Sequence, residues 1–149
     1  MQLSNEWFAS AEETNMGLVV VRGRMGMDAV RQSDRYPVRV EVQWQIVGDD
    51  KGMPTDTEAE VIERMMNIVC DALERSETAV MTAIYTGAQQ VRYQFYASSV
   101  DAFSASIEPL LQRFGNLPIK IGAAPDGAWH EYTTMLDKFC DKFCDVGGV

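Results

Sequence analysis

Ten residues, Arg92-Tyr-Gln-Phe-Tyr-Ala-Ser-Ser-Val-Asp101, constrain the fold more than any other stretch. Tyr93 and Phe95 alternate with Arg92, Gln94 and Tyr96. This period of two puts the first pair on one sheet face and the other three on the opposite face. Ser98 then stops the strand and offers a hydroxyl to a following helix, with Asp101 three residues later as its capping partner.

The elements on either side follow the same logic. Gly17 to about Arg24, centred on Val19-Val20-Val21, reads as a strand after a lead-in (residues 1–16) that Trp7 and Phe8 anchor. Met25 to Arg35 reads as a loop. Val38, Val40, Val42, Trp44 and Ile46 alternate with polar residues, so this strand has one core face and one wet face. Thr55-Asp-Thr-Glu58 is a capping box that opens a helix to about Arg75, with Val61, Ile62, Met65, Ile68, Val69, Ala72 and Leu73 on its apolar face. Ala79–Tyr85 and Gln90–Ala97 form a hairpin. A second helix runs from Ser99 to about Phe114, kinked or shortened by Pro109. A strand from Leu117 to about Ala123 follows, and then a last helix from Ala128 to about Cys144. The order β-β-α-β-β-α-β-α contains β-α-β-β-α-β. That is the ferredoxin-like α+β plan, an antiparallel sheet with helices packed on one face, plus an extra N-terminal strand and a C-terminal helix. A different open-faced α+β sandwich is the alternative.

Size and composition narrow the class. The 149 residues suit one domain that buries a core unaided. Thirteen basic against twenty-two acidic side chains give a net charge of −9, which disfavours a phosphate backbone as partner. No apolar run approaches the ~20 residues that span a bilayer, and Met1–Trp7 lacks a basic or apolar leader. These features, with only three cysteines, point to a cytoplasmic protein with reduced thiols, no membrane and no nucleic acid.

Several pieces carry a family resemblance when taken in order: Gly17-Leu-Val-Val-Val-Arg22, Tyr36-Pro-Val-Arg-Val-Glu-Val42, Gly52-Met-Pro54, Arg92-Tyr-Gln-Phe-Tyr96 and Asp126-Gly-Ala-Trp-His-Glu-Tyr132. The arrangement resembles the bacterial domain-of-unknown-function 695 family over about Trp7 to about Leu136. The final segments also look like those of regulator proteins that bind and inhibit ribonuclease E, which have a ferredoxin-like fold. The resemblance implies a fold and no activity. Residues 137–149 lie beyond it and read as a helical tail.

Five groups are candidates for function. Asp126, Trp129 and Tyr132 form either an acid beside an aromatic recognition surface or a helix cap with a hydrophobic anchor. Arg92, Gln94 and Tyr96, joined by Arg39, Glu41 and Gln43, form a binding patch if the second sheet face is open; otherwise they lie under the extra strand or last helix. Arg22, Arg24, Arg31, Arg35 and Arg39, five of the thirteen basic residues, are an anion site or solvated strand charge. His130, the sole histidine, lacks a nucleophile and an orienting acid at usable spacing. Cys140 and Cys144 share a helix face, but a zinc site wants about four ligands. The expectation is therefore no cofactor, no metal and no catalytic residue. The function expected is a protein-binding or regulatory module, with an enzyme of unknown type, such as a hydrolase, or a self-associating homodimer as alternatives.

Overall fold

The computed structural model describes residues 3–115 and 117–140. Its centre is a six-stranded antiparallel sheet in the order β1-β2-β4-β5-β3-β6. The strands are β1 (Trp7–Thr14), β2 (Gly17–Arg24), β3 (Val38–Gln45), β4 (Ala79–Gly87), β5 (Gln90–Ala97) and β6 (Ile119–Pro125). The helices are α1 (Asp28–Gln32), α2 (Asp56–Arg75), α3 (Val100–Gln112) and α4 (His130–Phe139).

The alternation of β3 and β5 builds the larger core. Val40, Val42 and Trp44 join Val91, Tyr93 and Phe95 against α2 and α3, with Phe95 and Phe103 edge to face at 5.5 Å. Helix α2 buries Ile62, Met65, Met66, Val69 and Leu73, whereas Val61 and Ile68, expected inside, are exposed. Its capping box forms as the sequence indicates: the Glu58 N–H donates to Thr55 Oγ1 and the Thr55 N–H to Glu58 Oε1. Glu58 also accepts the N–H groups of Val47 and Gly48, which ties the β3–α2 loop to the helix start. The β4–β5 hairpin closes through Ala88 and Gln89, both at positive φ, the backbone a two-residue type I′ loop requires.

Four expectations change. The lead-in is strand β1, paired with β2 from Trp7↔Arg24 to Thr14↔Gly17. The loop at 25–35 contains the one-turn helix α1. Ser99, not Ser98, caps α3 by accepting the Ala102 N–H. Pro109 does not end α3, which continues to Gln112; it lies exposed, and the carbonyl it leaves without an N–H partner belongs to Ala105, also exposed.

The opposite face is not open. α4 lies across it and, with α1, encloses a second core of Val21, Met27, Val30, Tyr36, Val80, Ala83, Tyr96, Trp129, Tyr132 and Met135. Phe8 reaches this core because Gly23 leaves room for its ring; a Cβ there would sit 2.3 Å from it. No helix among the described residues is long and apolar enough to cross a membrane.

Candidate functional site

Four of the six singled-out residues converge, and they do so inside the protein. Tyr96 leaves β5 toward α4 and stacks on Trp129 at 4.3 Å with rings 12° apart. Trp129 meets Tyr132 edge to face at 5.5 Å. All three rings are buried. An aromatic recognition surface is therefore replaced by a packed seam between α4 and the sheet.

Asp126 organises that seam. Its carboxylate accepts the backbone N–H of His130 at 2.7 Å and of Glu131 at 3.1 Å, satisfying the donors that a helix start leaves free. It also accepts the Tyr96 hydroxyl at 2.7 Å, and Arg39 stands 3.5 Å away. The Tyr96 oxygen in turn accepts the Tyr132 N–H. Burial pushes the Asp126 carboxyl upward, but the Tyr96 hydroxyl, the two N–H groups and Arg39 outweigh it and hold the group below its ordinary value. Burial first, and then the Asp126 carboxylate, push the Tyr96 phenol up. Trp129 itself adopts a left-handed backbone (φ 58°), an uncommon state for a bulky residue. Its indole N–H donates to Tyr36 O at 2.8 Å, and Tyr132 donates to Arg24 O at 2.6 Å. The packing thus fixes a strained turn, and this is why α4 starts at His130 rather than Ala128.

Arg92 and Gln94 lie farther along β5. Gln94 is buried and donates to Thr82 at 3.1 Å. Arg92 remains half-buried, 3.8 Å from Glu41 and stacked over Tyr85 at 4.3 Å. Its polar surroundings belong to the solvated remainder of this face.

The arginines do not gather. Arg24 is buried, donating to Glu74 at 2.8 Å and to the carbonyls of Ser4 and Met81. The Met81 N–H donates to the same Glu74 carboxylate. This pair satisfies β4 where its ladder with β5 is irregular, between Met81 and Ala83, and beyond the last β2–β4 partner pair, Gly23↔Ala83. Arg31, Arg35 and Arg39 pair with Asp28, Glu77 and Asp126. Arg22 has no carboxylate partner among the described residues and stands over the Trp7 ring at 5.7 Å.

His130 is exposed at the α4 start, and its ring makes no hydrogen bond to any described residue. Among the described residues, no three of His, Cys, Asp and Glu gather to hold a metal. Cys70 is a free thiol that burial pushes up to about 12. Cys140 is disulfide-bonded, which departs from the expectation of reduced thiols. Cys144 and most of the expected tail lie outside the described residues.

One surface was not anticipated. β6 ends the sheet, so its outer edge has no strand partner among the described residues. Its side chains are mostly exposed; Ile121, on the α2–α3 side opposite Val42, is 45% accessible. A Cβ on Gly122 would meet nothing within 4 Å. The sequence carries little signal of it: Ile119-Lys-Ile-Gly-Ala-Ala-Pro125 has one charge in seven residues, against 23% charged residues overall.

Comparison with known families decides the kinship. The chain belongs to the Family of unknown function (DUF695), whose model matches residues 5–136. The family span takes in all six strands and α4 as far as Leu136, so both cores fall within it. No curated protein matches the chain.

Proposed function

We propose that the chain is a non-enzymatic protein-binding module that works by strand addition at β6, with a second copy of itself as the occupant, and that on composition it is cytosolic. We read its inner unit as ferredoxin-like: the strand order β4-β5-β3-β6 with α2 and α3 on one face supports that reading. The placement of Asp126 and His130 supports binding over catalysis, since the acid is committed to a helix cap and the histidine faces solvent.

The open β6 edge carries the proposal. An unpaired edge is a template for another strand, and natural sheets usually guard it with charge or a covering element. β6 has neither. Antiparallel pairing of two copies about Gly122 sets Ile121 against Ala123 and Lys120 against Ala124, so no like charges oppose each other. The strand also carries no acid, which removes local repulsion between two chains of net charge −9.

Light scattering coupled to size exclusion tests this. The expected result is a dimer for the native chain and a monomer for Ile121→Asp with unchanged circular dichroism. A native monomer at high concentration, or a dimer that survives Ile121→Asp, overturns it.

A further inference from the structure

A cavity of about 410 Å³ lies on the α2 side of the sheet, where β1 and β2 extend past the helix. That volume is within the range of small-molecule sites, at its lower end. Its apolar lining includes Ile62 from α2, Ile84 from β4 and Val91 from β5. Tyr93 also lines it. This residue is 4% exposed, yet its hydroxyl makes no hydrogen bond to any described residue and is not sealed off from the cavity. A hydroxyl that reaches the cavity without a protein partner is free to donate to a ligand oxygen.

The charges at the cavity point the same way. Arg22 from β2 and Glu63 from α2 both line it, and neither has an ion-pair partner among the described residues. Asn67, one turn beyond Glu63, also lines it without a partner. The Trp7 ring backs the Arg22 guanidinium and limits where it can swing.

We propose that this cavity binds a small zwitterion with an apolar body, of the apolar α-amino-acid class. Its carboxylate meets Arg22 and the Tyr93 hydroxyl, its ammonium meets Glu63 and the Asn67 carbonyl, and its side chain lies on Ile62, Ile84 and Val91. A simple anion would be repelled by Glu63, and a simple cation by Arg22. Burial pushes the Tyr93 phenol up, so it stays a neutral donor at physiological pH.

Isothermal titration with L-phenylalanine, 3-phenylpropionate and phenethylamine tests the site. One L-phenylalanine per chain is expected, bound at least about tenfold more tightly than either singly charged analogue. Tyr93→Phe and Arg22→Ala should each weaken it about tenfold, with melting temperature as the check on folding. Arg22→Gln replaces the alanine variant should that one misfold. Glu63→Gln should abolish the preference over 3-phenylpropionate. No binding of L-phenylalanine in the millimolar range, equal affinity for 3-phenylpropionate, or an affinity untouched by the Arg22 variants overturns the proposal. The same titrations on Ile121→Asp separate this site from any pairing at β6.

Discussion

On the face that carries α2 and α3, the strands present Val40, Val42, Trp44, Val91 and Phe95 to two amphipathic helices. On the face that carries α1 and α4, they present Val21, Val80, Ala83 and Tyr96 to a seam that also holds Asp126, Arg39 and three aromatic polar groups. The first face is held by apolar area, which is non-directional. The second also relies on partners for the Tyr96 and Tyr132 hydroxyls and the Trp129 indole N–H, which fixes one orientation of α4 and makes its docking sensitive to single atoms and to pH. The two are coupled at Arg24. Its guanidinium binds Glu74 of α2 on one side, and its carbonyl accepts Tyr132 of α4 on the other.

The largest expected effect comes from Trp129→Ala. Removing this buried ring should cost about 3–5 kcal/mol. Hydrogen exchange should quicken in α1 and α4 while α2 and β3 stay protected; equal acceleration in α2 would mean the two faces are one cooperative unit. Arg24→Met should follow at about 3 kcal/mol, because Glu74, 21% accessible at its side chain, loses its only cation among the described residues. Pairing it with Glu74→Leu should restore much of that loss, and a chemical-denaturation cycle of the two variants measures the recovery.

Tyr96→Phe keeps the stack on Trp129 but deletes the hydroxyl shared by Asp126 and the Tyr132 N–H. A loss of about 1–2 kcal/mol is expected by urea unfolding, against almost none for a hydroxyl that makes no bond, such as that of Tyr93. The smallest effect is acid sensitivity. The Asp126 carboxyl titrates lower in the folded chain than in the unfolded one, so the unfolded state binds the extra proton first. Its contribution is fully present above the unfolded value, about 3.9, and is lost as pH falls through the folded value. Trp129 emission should therefore change before Trp44 emission on acid titration, and Asp126→Asn should abolish that lead.

Much of the fold could be read from sequence because the strands of the first face alternate cleanly. The β5 boundaries, Gln90–Ala97, and the start of α2 match the structure. β1 was illegible for a physical reason: Trp7 and Phe8 are adjacent, so they serve opposite faces, and Ala9–Thr14 has no apolar stripe. α1 is too short to show a helical period. The seam residues were found, but a sequence cannot say whether α4 covers Tyr96 or leaves it open; that depends on the loop at Asp126 and the left-handed turn at Trp129. The β6 edge and the Arg22–Tyr93 cavity were missed because each is defined by what does not pack on it.

The separation of a covered seam on the second face from an open β6 edge rests on Trp129 being interior. Acrylamide quenching of a Trp7→Phe, Trp44→Phe chain, in which Trp129 is the sole indole, measures this directly. The expected result is a blue-shifted emission that acrylamide barely quenches. Quenching as efficient as that of a free indole would contradict it, and would return Tyr96, Trp129 and Tyr132 to the surface as a binding patch.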